Sequence, residues 1–233
     1  MPAYPVIPKK TALIVFDMTN DVVARDGHLD TPEAREVLVP RLLPLIERCR
    51  EVGILVVFVR QVLQPDGSDA GRLNDIYPGL KAFRRGSPGV EIYPGLGMKP
   101  SDWLVDKNRF SAFWGTRLHD QLLDRGIDTI IITGCSTAVG CETTARDATT
   151  RDFKVIFTSD GTVTRPLADL GWGAYSEDEV HRMTLTVLGH TFARIASVEE
   201  ILQEIACPAI LERRTVRHPN CTRGEVVPGR RPK

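Results

Sequence analysis

The sequence predicts an α/β protein with a doubly wound, mostly parallel open sheet and helices on both faces. Three observations predict it. Short apolar runs recur at residues 12–16, 54–59 and 129–133, segments of helical period separate them, and residues with distinct chemistry follow the runs at Asp17, Lys107 and the turn 134–142.

The first run, ALIVF at 12–16, stops at Asp17 and shows no polar alternation, which suits a strand buried on both faces. Between 31 and 52, Val37, Leu38, Leu42, Leu45 and Ile46 recur at helical spacing, and Thr31-Pro32 has the form of an N-cap and first turn. ILVVFV at 54–59 is the second strand, and the order strand, helix, strand argues for parallel pairing. Residues 61–97 are rich in Gly, Pro and charge, with apolar islands at Leu73 and Ile76-Tyr77, and read as a long excursion over the sheet edge. WLV at 103–105 is a short strand ending at Asp106-Lys107. A helix over 117–125, a fourth strand at 129–133, a helix over 142–150 and a fifth strand at 155–157 follow. A helix over 181–195 comes next, and Ser197-Val198-Glu199-Glu200 reads as a capping box that starts the last one. In such a sheet the ligand crevice lies at the carboxyl ends of the strands, where Asp17, Lys107 and the 134 turn fall.

The chain has 233 residues, 42% of them hydrophobic, enough for one domain with a sizeable core over 1–207. After Pro208 it becomes basic and Pro-rich and loses apolar period, so 208–233 reads as a flexible tail or an oligomer arm. Thirty basic and thirty acidic side chains leave no net field, which argues against nucleic acid and anionic membrane as partners and for a small-molecule substrate. There is no apolar core of a secretory signal and no run of eighteen apolar residues, so a cytoplasmic protein is expected. Five cysteines without regular spacing argue against a disulfide framework, and the five histidines stand singly.

Three elements carry chemistry. Asp17, in FDMTND, is a carboxylate between Phe16 and Met18, where an apolar wall makes its proton affinity tunable; a general acid or base and a simple turn residue are both open. Lys107, in VDKNRFSAF, ends a strand; on its own it would be a solvated lysine, and its weight comes from the combination. ITGCSTAVGCETTARDA joins strand to helix through small residues, with the amides of Val139, Gly140 and Cys141 expected to point into the crevice and favour negative charge. Cys135 and Cys141 are the nearby thiols, either nucleophiles or small buried hydrophobes. Ser136 and Val139 in the turn, with Gln61, Gln64, Arg72 and Arg109 before and after it, are candidates for contacting a substrate carboxylate or amide. Phe110, Phe113, Trp114 and Tyr77 would wall the pocket or pack in the core.

FDMTND, DKNRFSAF and the ITGC…TARDA turn, in this order, resemble the isochorismatase-like superfamily over about residues 10–200. The resemblance implies a Rossmann-like three-layer fold and a catalytic set of Asp, Lys and Cys, of which Asp17 and Lys107 match the first two. The third position falls on Gly140, with Cys141 one place late. A glycine there, in VGC, resembles the isochorismatases proper, as does LNDIYPGL at 73–80; Ser136 and Ala138 stand where that branch has Tyr and His. This implies hydrolysis of an enol ether, with Asp17 as general acid and water captured near Gly140. A second reading is a cysteine amidohydrolase acting on a small amide or ureido compound through Cys141 or Cys135, with a cis peptide at Cys135-Ser136. A third is a catalytically inactive binding or oligomerisation relative. Nicotinamidases of the superfamily hold a metal through an Asp and two His after the second strand; VRQVLQPDGSDAGRL has no His, so neither metal nor other cofactor is expected. The resemblance also implies a homo-oligomer, with Trp114, Trp172 and Tyr175 as boundary candidates.

Overall fold

Strand β1 (Thr11–Phe16) is buried at every position and lies at the middle of the sheet, as its uninterrupted apolar run requires. The computed structural model describes residues 4–206, so the 207/208 boundary and the basic tail lie outside the described residues. β2 (Leu55–Gln61), β3 (Trp103–Lys107), β4 (Thr129–Cys135), β5 (Lys154–Val163) and β6 (Arg194–Ala196) complete a six-stranded sheet in the order β3-β2-β1-β4-β5-β6. Every pairing is parallel, so the sheet is wholly rather than mostly parallel.

The pleat divides β1 between two cores. Leu13 and Val15 face a layer holding Leu42, Leu45 and Ile46 of α2 (Val39–Val52) and Ile201 and Ile205 of α7 (Val198–Ala206). Ala12, Ile14 and Phe16 face Leu118 and Leu122 of α4 (Leu118–Asp124), Ala145 and Ala148 of α5 (Glu142–Thr150), and Leu188 of α6 (Glu177–Thr191). Truncating one of these leucines to alanine removes contacts worth about 2–5 kcal/mol.

Strand order reverses between β1 and β4, and the crevice of a doubly wound sheet opens at such a switch point. Close approach there depends on Gly134, whose φ is 111°; a β-carbon on it would stand 2.6 Å from the Phe16 amide nitrogen and closer still to its carbonyl oxygen.

Four expected elements differ. The helix expected at 181–195 begins earlier, at Glu177, and ends at Thr191; Ser176 caps it, its hydroxyl accepting from the Glu179 amide while the Glu179 carboxylate accepts from the Ser176 amide. Arg194–Ala196 then forms the edge strand β6, beside β5. β4 and β5 run past their apolar runs, to Cys135 and Val163, because Thr133 and Thr158 satisfy their hydroxyls on the carbonyls of Ile14 and Ile132. The excursion after β2 is packed down: Leu63, Ala70, Ala82, Val90 and Leu96 are buried, and α3 (Leu73–Ile76) is a single turn within it. The capping box at Ser197 and Glu200 has the expected reciprocal bonds.

Candidate active site

Strand pairing brings Asp17, Gln61 and Lys107 together, since β1, β2 and β3 are neighbours and all three residues stand at carboxyl ends. Lys107 Nζ donates to Asp17 Oδ2 at 2.9 Å and to Gln61 Oε1 at 3.2 Å, while the Gln61 amide donates to Asp17 Oδ1 at 2.7 Å. The lysine side chain is fully buried, with its ammonium 4.6 Å from the centroid of the Phe16 ring. Asp17 adopts φ 50°, and its side chain keeps 12% exposure toward a cavity. Burial raises the Asp17 proton affinity above the usual carboxylate range; the Lys107 charge and bond, with the Gln61 amide, oppose it and do not win. The result is a carboxyl of raised proton affinity beside the Lys107 ammonium.

The cavity, about 420 Å³, opens beside Asp17, Gln61, Cys135, Ser136, Val139 and Gly140. Phe110 and Tyr77 line it, so these two aromatics stand where a wall was expected. Apolar neighbours dominate: Val22, Leu29, Leu73, Leu80, Phe83 and Leu167.

The β4 turn departs from expectation in two ways. First, the Val139 and Cys141 amides both donate to the Ser136 carbonyl at 3.2 Å, through a π-helical turn at Thr137–Cys141, instead of pointing into the crevice. Second, Cys141 is fully buried among the residues under α5, its sulfur 4.0 Å from the Thr133 carbonyl, and it does not line the cavity. One residue along a helix rotates a side chain by about 100°, so the thiol one place after Gly140 faces the core. Burial raises its pKa well above the ordinary thiol value. Cys135 does line the cavity and forms a cis peptide with Ser136, but burial, then the Asp17 charge, pushes its thiol up to about 12. At Gly140 a β-carbon would stand 3.0 Å from Phe16 Cζ, 3.1 Å from Cδ1 and closer still to Cε1, so the buried ring occupies the space of any side chain.

Other candidates are dispersed. Phe113 stacks on Phe153 in the core, at 5.7 Å between centroids, because it lies under α4 and not at the crevice. Trp114 is turned outward and carries the Arg109 guanidinium on its face. Arg72 pairs with Asp75 with 93% of its side chain exposed. Arg72 and Arg109 line a neighbouring cavity of about 580 Å³ that shares Gln61, Leu73 and Phe110 with the first. After β2 the chain supplies Gln64, whose backbone amide donates to Asp69, and after β3 it supplies Asn108, whose side chain also donates to Asp69; among the described residues no three His, Cys, Asp or Glu side chains group to hold a metal. None of the described helices is long and apolar enough to cross a membrane.

Sequence reasoning missed Leu29, Thr31, Thr164 and Arg165. The last two follow β5, which the apolar run ends too early; the usable signal was the carboxyl-end rule applied to the Thr-rich continuation TSDGTVT. His181, single in sequence, is held between the Thr137 hydroxyl at 3.0 Å and the Ser159 carbonyl at 2.8 Å, and supports the turn from behind.

Comparison with known proteins agrees with the fold. A family model described as Isochorismatase domain matches residues 11–200. An uncharacterised isochorismatase family protein of Bacillus subtilis is 30% identical over 84% of this chain and 95% of its own length. Enterobactin synthase component B of Escherichia coli is 30% identical over 84% of this chain, which spans 63% of that protein. The crystal structure of a cysteine hydrolase from Pseudomonas syringae pv. phaseolicola superposes with a TM-score of 0.84 at 34% identity, over 87% of this chain and 95% of the other. The chain belongs to the isochorismatase family of hydrolases.

Proposed function

We propose that the chain hydrolyses an enol ether of a small organic acid, with Asp17 as general acid. The observation that carries this reading is Gly140: the Phe16 ring stands where a side chain would begin, so the start of the helix presents no attacking sulfur, and water from the adjoining cavity is left as the nucleophile. Asp17 gives its proton to the methylene carbon, and the C=C electrons form that C–H bond. The oxocarbenium that results is captured by water. As the hemiketal collapses, the C–O bond to the alcohol breaks, a pyruvate unit and the alcohol leave, and Asp17 recovers a proton from the added water. Burial lets Asp17 keep its proton before the reaction, and the Lys107 bond stabilises the carboxylate once the proton has gone. Lys107 therefore limits how weak an acid burial can make.

A thiol amidohydrolase is the second reading, and Cys135 is what favours it, as a sulfur in the cavity wall near Asp17. Against it stands a thiol held up at about 12, when the nucleophile of such a reaction is the thiolate. An inactive binding relative accounts less well for a carboxyl left open to a cavity beside a buried lysine. The reading also includes a cytoplasmic setting, no resident metal, and a homo-oligomer that covers Leu170 and Trp172, exposed at 87% and 86%.

The test is turnover of isochorismate before and after iodoacetamide, with peptide mapping of Cys135. Turnover that survives alkylation is expected. Amide or ureido hydrolysis abolished by Cys135→Ala would replace this reading by the second.

A further inference from the structure

We propose that Arg165 receives a carboxylate of the substrate and so selects anionic ligands for the cavity that holds Asp17. The inference rests on that cavity being the reaction site and names the chemistry it accepts.

An acid substrate brings a negative charge into a mostly apolar space, where it needs a cation with free donors. Lys107 does not serve: its ammonium is committed to Asp17 and Gln61, and it is not part of the cavity wall. Arg72 and Arg109 belong to the neighbouring cavity, the first paired with Asp75, the second bonded to the carbonyls of Asp69 and Asn108. Among the described residues, Arg165 is the one cationic side chain in the wall of the Asp17 cavity, next to Thr164 and Pro166.

Its guanidinium is fixed along one edge. Nε donates to Thr31 Oγ1 at 3.2 Å, and Nη2 donates to the Leu29 carbonyl, to the Asp30 carbonyl at 3.1 Å and to Thr31 Oγ1 at 2.9 Å. These partners lie more than 130 positions away in sequence, so the bonds strap the end of β5 to the loop after α1 (Asn20–Val23). All of the acceptors are neutral, and among the described residues Arg165 makes no ion pair and its Nη1 makes no hydrogen bond. A guanidinium held on one edge with donors open on another is the geometry that captures a carboxylate without first ordering the side chain. Arg165, Asp17 and Cys135 share this wall, and the charges of Asp17, Arg165 and Glu33 all bear on the Cys135 sulfur.

The probes are sodium benzoate and benzamide, similar in shape and different in charge, titrated calorimetrically into the full chain, Arg165→Gln and Arg165→Lys. The parent protein is expected to prefer benzoate. Arg165→Gln keeps hydrogen-bonding capacity without charge and should weaken benzoate about tenfold or more while leaving benzamide within about twofold; Arg165→Lys should keep most of the preference. Equal weakening of both probes in Arg165→Gln would mean that the residue is a strap only and overturns the proposal, as does a parent protein with no preference or loss of preference in Arg165→Lys. Should Arg165→Gln fail to fold, the lysine variant still decides. The charge preference is measured without turnover, so a protein that binds benzoate through Arg165 yet leaves isochorismate intact would remove the enol-ether reading and keep this one.

Discussion

Strand β3 carries a buried ion pair at each end, and the two are built differently. At its start, Arg50 forks onto Asp102, Nε reaching Oδ1 at 3.1 Å and Nη2 reaching Oδ2 at 2.5 Å, while the Lys99 amide adds a third donor at 2.8 Å. The same Arg50 Nη2 reaches the Gly97 carbonyl, which ties α2 to the approach to β3. At its end, Lys107 gives Asp17 one bond from a point charge, one backbone amide supplies the other, and a cavity opens alongside. The first pair is saturated and borders neither cavity. The second leaves a carboxyl with access to solvent space and a raised proton affinity. An ion pair thus has no function by itself; the number of donors, and what lies beyond them, separates a staple from a carboxyl open to a cavity.

Variants that break the two pairs sharpen this contrast. Asp17→Asn should lower turnover about 10²–10⁴-fold with the fold intact, because it removes the transferable proton. The pH dependence adds a sign. With its proton affinity raised on folding, Asp17 contributes stability that is complete below the ordinary carboxylate range and is lost as pH rises through its raised value. The melting temperature of the parent relative to Asp17→Asn should therefore fall as pH rises through that window; a difference that grows instead would reverse the assignment of burial as the stronger influence. Arg50→Ala should show the opposite profile: a stability loss of about 3–5 kcal/mol in denaturant unfolding, from a carboxylate left buried without its partner, and kcat unchanged in the folded fraction. A smaller effect is expected from Gly140→Cys, which must displace the Phe16 ring at about 1–3 kcal/mol, and which should not create amide hydrolysis while the ring also carries Lys107. Trp172→Ser should change monomer stability by less than about 0.5 kcal/mol, since the indole is exposed; its readout is the sedimentation profile, where a shift to smaller species would identify the loop as a subunit contact.

Asp17 and Lys107 were legible in sequence because each stands where an apolar strand stops, and a doubly wound sheet gathers such ends at one edge. Gly140 was legible through the family resemblance, which puts the third catalytic position there, and the glycine prepared for the absence of a thiol. Arg72, Phe113 and Trp114 were legible only as residue types. Their neighbours along the chain suit a cavity wall as well as core or solvent, and local sequence does not say which way a side chain turns. Arg165 escaped because β5 continues through Ser159, Asp160 and Gly161, polar or small residues without the apolar signal of a buried strand, while Thr158 and Thr162 on either side bond their hydroxyls to the carbonyls of Ile132 and Thr158.

By itself, then, the sequence determined the order of the first five strands and the helices between them, and the chemistry available at the carboxyl ends, since these follow from hydrophobic period and the identity of residues at its interruptions; the family followed from the motifs at those interruptions. Tertiary structure alone decided the rest: that Cys141 turns into the core, that Phe16 fills the space beside Gly140, that burial outweighs Lys107 at Asp17, and that Arg165 reaches Thr31. The physical reason is the same for all four. Each depends on distances between segments far apart in the chain, and on how much water those segments exclude, and neither quantity is present until the sheet has closed over its two cores.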